Sequence, residues 1–402
     1  MSLLIPGTNS IKDTGYDVAN SLRFNDGSSD YLTKSFGTTQ TSTSKFTVSV
    51  WVKRCTLGTR QSIFAAYDGT SAGGDDLEFE TDDTLSYNGT GAGVNTTSAK
   101  FRDVSAWYHI VLARDSAASG ASNQVKIYVN GTLQTLSANN GCSPSQFLKS
   151  GLNSRIGTNQ GASQYFVDMY MAELCVIDGQ QLDPTSFGEF DEDSPTVWKP
   201  KDVSSLTFGN NGFHLDFEDS SALGNDVSGN NNDFTVNNLT SIDQCTDTCT
   251  NNFNVLNTIH PTAANFTISE GATKINKTGS SHNVGGYLGT LMPTTSGKWY
   301  FEAKIDEGAD GDRGRVGVAN YDSITGTDTM QTMSNASGLE VSVKGAKLFV
   351  TINGTTTEHT SSGTYSDGDI VQIAMDLDNK AIYVGRNGTY LTLTGSSGGD
   401  PT

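Results

Sequence analysis

The chain has 402 residues, a hydrophobic fraction of 35% and 44 glycines, a balance that favours β-sandwiches with many turns over helical folds. Its formal net charge is −19, and the absence of a basic patch argues against a nucleic-acid partner. No apolar run approaches the ~20 residues of a membrane span, and Met1–Gly7 lacks the basic region of a signal peptide, so we expect no membrane insertion.

Residues 1–20 are predicted to be an irregular arm, and strands follow from residue 21. Phe46–Lys53 alternates apolar and polar side chains, as a half-buried strand does. Trp107–Asp115 predicts another strand, and Val125, Ile127 and Val129 would share one face of the next. Asn130-Gly131 then predicts a tight hairpin turn.

These segments resemble a known family when they are taken in order. "FTVSVWVK", "VKIYVNGTLQ", "SRIG" and "FVDMYMAELCVID", followed by the "LDPT" turn, are similar to the laminin-G and pentraxin-like jelly rolls of the concanavalin type. The resemblance covers residues 21–190 and implies a sandwich of two antiparallel sheets.

Residues 191–260 are rich in Asn, Asp and Gly and predict a linker that docks through a few apolar side chains. The stretch from "TVWKPK" through "FHLDFEDSSALGNDVSGNNNDFTVNN" to "NNFNVLN" resembles a connector in structural proteins of marine tailed bacteriophages. In those proteins it lies between a laminin-G-like and a SPRY-like domain.

The last part, residues 261–402, carries "GKWYFE", "RVGVA" and "DGDIVQIAMDLDNKAIYVGRNG". This order resembles the SPRY family and implies a second antiparallel sandwich, with binding loops near Asp322–Gly326 and His359–Gly363. SPRY domains usually continue beyond the "NGT" hairpin, so we expect this domain to be incomplete at its C-terminal end. The fold class expected is therefore all-β, with two sandwiches joined by an Asn/Asp/Gly-rich linker.

Some relatives with the concanavalin fold are retaining glycosidases, and these enzymes need a pair of carboxylates. Glu78 and Glu80 share one strand face but have no partner at the expected spacing, and Glu189 falls in the exit loop. The five histidines form no metal-binding pair, and His109 is interpreted as a packed strand histidine. We therefore predict no catalytic residues and no enzymatic activity, with glycan degradation as the alternative.

No cofactor is required by the sequence, but Ca²⁺ binding is a candidate. Pentraxin-like relatives bind Ca²⁺ through loop oxygens, and Asp226, Asn230 and Asp233 have the hard-oxygen spacing of a loop that wraps a cation. The alternative for these three residues is a polar turn.

Aromatic side chains beside Gly/Ser/Asn-rich loops can stack on sugar rings. Tyr87, Tyr165 and Trp107 are the candidate glycan contacts, with core packing as the alternative for Trp107.

Together these features predict a non-enzymatic virion protein of a tailed phage, such as a tail fibre or appendage. It would bind host-surface glycan or neighbouring virion subunits, form a homo-oligomer and assemble in the host cytoplasm. The five cysteines, an odd count, are expected to be mostly reduced there. A local disulfide between Cys245 and Cys249 is the alternative for that pair. The alternatives are a purely structural capsid decoration or connector protein and a bacterial surface lectin.

Overall fold

A computed structural model of the protein describes residues 15–67, 74–89, 93–159, 164–259, 266–277, 287–293, 295–306, 315–319, 338–342, 347–352, 355–360 and 365–391. These residues fall into two compact units. The first comprises the described residues of Gly7–Ile259 and Ile268–Asn276, and the second those of His260–Thr267 and Lys277–Thr402. In the described parts of the chain, no helix is long and apolar enough to cross a membrane.

The chain consists mostly of strands, which confirms the predicted all-β class. Strands of the first region are β1 (Ser21–Phe24), β2 (Tyr31–Ser35), β3 (Lys45–Arg54), β4 (Gln61–Tyr67), β5 (Gly74–Phe79), β6 (Thr84–Gly89), β7 (Gly93–Lys100), β8 (Trp107–Asp115), β9 (Val125–Val129), β10 (Thr132–Leu133), β11 (Leu136–Asn139), β12 (Asn153–Ile156), β13 (Met169–Asp178), β14 (Gly188–Phe190), β15 (Trp198–Pro200), β16 (Phe213–Leu215), β17 (Thr235–Asn237), β18 (Gln244–Cys245), β19 (Phe266–Ser269) and β20 (Lys274–Lys277). One short α-helix, α1 (Ala121–Gln124), and 3-10 turns at Asp26–Ser28, Pro184–Ser186 and Ser241–Asp243 lie between them.

Two eight-stranded antiparallel sheets form the first unit, a jelly roll. The first sheet has the order β10-β9-β8-β3-β13-β1-β18, and β16 also pairs with β13; the second has the order β11-β7-β6-β5-β4-β12-β2-β17. Period-two alternation sends one set of side chains from each sheet into the space between them. Phe46, Val48, Val50 and Val52 of β3 lie there with Leu77 of β5 and other apolar residues, all essentially without solvent contact.

The hairpin predicted at Asn130-Gly131 is confirmed. Both residues have positive φ, 48° and 74°, and Thr132 pairs with Val129. The return strand β10 is only two residues long, however, and the chain then crosses to the second sheet, where β11 pairs with β7. The hairpin therefore closes one edge of the first sheet and leads directly into an edge of the second.

The segment interpreted as a linker contributes strands to both sheets. β16 pairs with β13 and β18 with β1 in the first sheet, while β17 pairs with β2 in the second. Phe213, Leu215 and Phe234 of this segment belong to the central core. The sequence-based boundary at residue 190 thus separates residues that form one compact unit.

Gly131 offers a direct test of how tightly this segment packs. A Cβ at Gly131 would come within 2.4 Å of the Trp198 indole, whereas one at Gly58, which has the same φ of 74°, would meet nothing within 4 Å. Gly58→Ala should cost about 1 kcal/mol of unfolding free energy through backbone strain alone. Gly131→Ala should cost about 1 to 3 kcal/mol more because the indole must move. Urea denaturation of both variants measures the difference, and equal losses would contradict the packing described.

The second unit contains two four-stranded antiparallel sheets, β21-β26-β27-β28 and β22-β23-β24-β25. Their strands are β21 (Lys298–Lys304), β22 (Arg315–Ala319), β23 (Gly338–Ser342), β24 (Lys347–Ile352), β25 (Thr355–Thr360), β26 (Ile370–Asp376), β27 (Ala381–Arg386) and β28 (Thr389–Tyr390). A separate hydrophobic cluster, including Trp299, Ile373 and Val384, forms the core of this unit. The predicted binding loop at 322–326 and most of the one at 359–363 lie outside the described residues.

Candidate functional site

The outer face of the first sheet is covered by the chain itself. Thr47, Ser49, Trp51 and Lys53 alternate with the core residues of β3 and point away from the core, yet all four are buried. The Lys53 ammonium lies 2.7 Å from Asp247 Oδ2, and it also donates to the Asn252 amide oxygen and the Phe253 carbonyl. This buried cation holds the 247–253 loop against the sheet.

His109 lies under Trp198 on the same covered face. The Trp198 indole N–H donates to His109 Nδ1 at 2.8 Å, and His109 Nε2 lies 2.8 Å from Ser49 Oγ. Because an indole nitrogen can only donate, Nδ1 must accept and Nε2 must carry the proton. His109 therefore donates to Ser49 and cannot remove its proton, which excludes a Ser–His nucleophile here. Burial lowers the pKa of His109 to about 3.

A second buried polar group lies where β16 joins β13. Glu173 has a positive φ of 48° at an irregularity in the β13–β3 pairing, and its Oε2 accepts from Tyr16 at 2.9 Å and contacts His214 Nε2 at 3.0 Å. Although burial opposes protonation of His214, Cys175 and Glu173 raise its pKa to about 11. Burial raises the pKa of the neighbouring Cys175 thiol. Tyr16 and His214 both hydrogen-bond to Glu173, so they hold the strand irregularity in place.

The outer face of the second sheet carries a different set of side chains. We call it the sheet-face cluster, and it consists of Arg60, Ser62, Asp76, Glu78, Asn88, Asn159 and Tyr165. Arg60 binds both carboxylate oxygens of Glu78, with Nε at 2.7 Å from Oε2, and Asn88 donates to the same carboxylate. This network spans β4, β5 and β6.

Asp76 occupies the next outward position on β5. Ser62 Oγ donates to Asp76 Oδ1 at 2.5 Å, and Asn159 Nδ2 donates to Oδ2 at 3.1 Å. Burial raises the pKa of Asp76 well above its usual range, the Glu78 carboxylate raises it further, and these two hydrogen bonds oppose the change. Burial also raises the pKa of Glu78, despite the opposing Arg60 cation. Asp76 and Glu78 form an acceptor strip along β5, in which Asp76 is partly exposed and the Glu78 side chain has no solvent contact.

Aromatic groups lie at two places on this outer face. The Arg60 guanidinium lies 4.6 Å from the centre of the Tyr165 ring. On the side of β12 and β2, Arg155 lies 5.0 Å from the Tyr31 ring centre, and the Tyr31 and Phe166 rings are 6.2 Å apart. Tyr31, Tyr165 and Phe166 are all partly exposed. The face thus combines hydrogen-bond acceptors with aromatic surfaces, the combination that carbohydrate rings require.

The three predicted glycan contacts have different surroundings. Tyr165 is partly exposed within the sheet-face cluster. Tyr87 instead points inward with Leu85 and is fully buried beside Phe46 and Phe147, so it cannot contact a surface ligand and we correct that assignment. Trp107 is also corrected, because it is buried and its indole donates to Asp247 at 3.0 Å under the covering loop.

The predicted calcium ligands form a hydrogen-bonded turn instead. Both oxygens of Asp226 accept from backbone N–H groups, those of His214, Ser228 and Asn232, at 2.7 to 2.9 Å. Asp233 accepts from the Asp226 backbone, and the Asn230 amide donates to two glycine carbonyls. The polar-turn alternative accounts for these contacts. Within the described ranges, no group of three or more His, Cys, Asp or Glu is arranged to hold a metal ion.

Sequence reasoning did not assign Arg60, Asp76 or Tyr31 to a glycan-binding face. The alternation in "DDLEFE" was a usable signal for Asp76, because it puts Asp76 on the same strand face as Glu78. No local pattern identifies Arg60, which pairs with Glu78 from the loop before β4. All five cysteines, including Cys245 and Cys249, are free.

Comparison with family models identifies both domains. Residues 26–179 match the laminin-G-type model described as the concanavalin A-like lectin/glucanases superfamily, and residues 298–398 match the SPRY domain. The chain therefore contains a laminin-G-like concanavalin-fold domain followed by a SPRY domain. A comparison with curated proteins finds no match.

Solved structures with partial similarity include three binding or matrix proteins. A putative carbohydrate binding protein from Bacteroides ovatus has 16% identity and a TM-score of 0.40; the match covers 57% of this chain and 60% of that protein. The heptameric SAP-like pentraxin from Limulus polyphemus has 17% identity and a TM-score of 0.32, over 42% of this chain and 80% of the pentraxin. Domains LG4-5 of mouse laminin α1 have 10% identity and a TM-score of 0.32, over 99% and 84%.

Proposed function

We propose that this protein is a non-enzymatic glycan-binding protein whose ligand contacts the outer face of the second jelly-roll sheet. One observation carries the proposal: the first sheet's outer face is covered by residues 198–253, while the second sheet's outer face carries the partly exposed Asp76 and Tyr165 side chains. The match of residues 26–179 to a lectin-containing superfamily supports the same ligand class.

The sheet-face cluster has the chemistry for a hydroxylated ring. The Asp76 carboxyl, only partly exposed, can exchange hydrogen bonds with sugar hydroxyls while Ser62 and Asn159 fix its orientation. Arg60 holds the Tyr165 ring by a cation–π contact, so the ring is ordered before a ligand arrives. A preordered aromatic surface loses less entropy on binding, which favours recognition of a flexible glycan.

The proposed absence of catalysis is supported by the engagement of Glu78. Arg60 binds it with two hydrogen bonds and Asn88 adds a third, so its oxygens are occupied and held by a fixed cation. A nucleophile or general acid needs an oxygen directed at the reacting bond.

The proposed setting is the particle of a tailed phage, as a tail fibre or appendage that assembles in the host cytoplasm. Support comes from the pairing of a laminin-G-like with a SPRY domain and from the phage-like connector sequence. In this setting the partners are host-surface glycan and other virion proteins, and the chain functions as a homo-oligomer.

Binding of the full chain to an array of bacterial surface polysaccharides tests the ligand face. Tyr165→Ala is expected to weaken binding about tenfold because it removes the stacking surface, while Tyr165→Phe should retain most of it. Asp76→Asn should weaken binding by a similar factor because it changes the acceptor strip. Asp193→Asn, in an exposed acidic stretch, is the matched control and should bind as the parent does. Equal binding by all four variants would refute the assignment of this face.

A second candidate, glycan hydrolysis, is favoured by the raised pKa values of Asp76 and Glu78 on one strand, since a general acid needs a protonated carboxyl. Release of reducing ends from the polysaccharides that bind would measure it. Release by the parent chain that Glu78→Gln abolishes would establish hydrolysis and contradict the non-enzymatic proposal.

A further inference from the structure

The SPRY domain carries aromatic side chains on the face of one sheet that points away from its core. Trp299, Ile373 and Val384 of the sheet β21-β26-β27-β28 point into the core, so alternation directs their neighbours Tyr300, Ala374 and Tyr383 to the opposite face. The cross-strand register pairs Tyr300 with Ala374 and Ala374 with Tyr383. Two partly exposed tyrosines therefore flank a single methyl group.

The next set of cross-strand partners on the same face has polar side chains on β21 and β26 and a glycine on β27. Glu302 pairs with Gln372, Gln372 with Gly385, and Gly385 with Tyr390. Tyr383 and Tyr390 have ring centres 6.4 Å apart in an edge-to-face arrangement. Ala374 and Gly385, the smallest residues of the face, lie between the tyrosine positions and are themselves buried. We call this surface the tyrosine platform, comprising Tyr300, Glu302, Gln372, Ala374, Tyr383, Gly385 and Tyr390.

Hydrogen bonds fix the polar side of the platform. Gln372 Nε2 donates to the Tyr300 hydroxyl at 2.5 Å and to Glu302 Oε1 at 3.0 Å, and its oxygen accepts from the Gly388 backbone. Tyr300 in turn donates to Glu302. Burial, followed by this contact with Glu302, raises the pKa of Tyr300 to about 12, so the hydroxyl keeps its proton.

We propose that the tyrosine platform is a second carbohydrate-binding site, selective for neutral sugars and separate from the jelly-roll face. Strand spacing sets the Tyr300 and Tyr383 backbones about 10 Å apart, a span that a disaccharide covers. The C–H faces of its rings would pack on the tyrosines, and the exposed Glu302 carboxylate would accept from its hydroxyls.

Charge on this face favours a neutral ligand. The two lysines at its ends are each beside a carboxylate: Lys298 is 3.8 Å from Asp376, and Lys304 is 3.2 Å from Asp306. No described cation forms an ion pair with Glu302 in the middle of the face. An acidic sugar would bring its own carboxylate beside that of Glu302, whereas neutral hydroxyls can donate to Glu302.

Calorimetric titration of the full chain with short neutral oligosaccharides of glucose, galactose and mannose tests the platform. The chain should first carry Tyr165→Ala and Asp76→Asn, so that failure of the jelly-roll proposal leaves this test intact. Binding of at least one oligosaccharide should persist. Adding Tyr383→Ala should weaken that binding about tenfold, while Tyr383→Phe should leave it nearly unchanged because the ring remains.

A charge variant provides a readout that loss of folding would not produce. Glu302→Gln should bind an oligosaccharide of uronic acids more tightly than the parent does, because the repelling carboxylate is gone. Lys304→Ala, on the same face but beyond the platform, should behave as the parent with neutral sugars. The proposal is overturned if the chain with the jelly-roll face disabled binds none of the neutral sugars. It is equally overturned if Tyr383→Ala binds them as well as Tyr383→Phe does.

Discussion

Replacing Lys53 by methionine is expected to lower the unfolding free energy of the jelly roll by about 3 to 5 kcal/mol, because it leaves a buried carboxylate without its cation. The Lys53 and Asp247 side chains are 0% and 7% exposed, and their charged atoms are 2.7 Å apart. Asp247 also accepts from the Trp107 indole, so the loop loses its central anchor. Urea denaturation followed by tryptophan fluorescence measures the loss, since Trp51 and Trp107 lie in the same outer cluster.

The same strand supplies the control. Lys45 lies 3.3 Å from Asp115 with its side chain 48% exposed, and an exposed pair of this kind contributes about 0 to 1 kcal/mol. Lys45→Met should therefore change the unfolding free energy little. If Lys53→Met were no more harmful than Lys45→Met, the buried ion pair would not be what holds the covering loop.

The stability of the jelly roll is expected to fall on acidification because His109 is buried without a charge. Its pKa in the folded protein is about 3, below the value of about 6.5 in an unfolded chain. Between these values the unfolded chain binds the extra proton. The contribution of uncharged His109 to the unfolding free energy is therefore fully present above pH 6.5. This contribution, up to about 5 kcal/mol, is lost as the pH falls toward about 3.

His109→Gln should flatten this acid dependence by up to about 1.4 kcal/mol per pH unit. A glutamine can donate to Ser49 and accept from Trp198 without titrating. His214→Gln is the contrasting variant, because the His214 pKa is raised to about 11. Its stabilising contribution is present below pH 6.5 and is lost between pH 6.5 and about 11. Unfolding midpoints measured across both ranges separate the two histidines, and an unchanged acid slope in His109→Gln would show that another group titrates.

Local sequence patterns predicted the strands and turns well where period-two alternation or a turn dipeptide is enough to define them. The alternation in β3 correctly identified Phe46, Val48, Val50 and Val52 as one face, and Asn130-Gly131 identified the hairpin. The same alternation did not reveal that the opposite face of β3 is buried as well. The contact that buries it joins Lys53 to Asp247, which are 194 positions apart in the chain, and no local period encodes such a distance.

The candidate sites show the same difference between what local patterns predict and what contacts between distant residues decide. Tyr165 was predicted to be exposed because it lies beside a polar loop, and it is partly exposed. Tyr87 was predicted to be exposed for the same reason, but it continues the inward alternation of Leu85 and is buried. The Asp226 turn had the residue types of a calcium loop. Only the directions of the backbone N–H groups, which donate to both of its oxygens, revealed a structural turn.

By itself the sequence determined that this protein is all-β, because period-two alternation and turn residues act over neighbouring positions. The laminin-G-like and SPRY assignments came from the resemblance of its motifs to those families. The tertiary structure alone decided which surfaces remain available to a ligand. Residues 198–253 add strands to both jelly-roll sheets and cover one outer face, and that choice depends on packing between segments far apart in the chain. The second sheet keeps its polar and aromatic face because the covering segment packs on the other side.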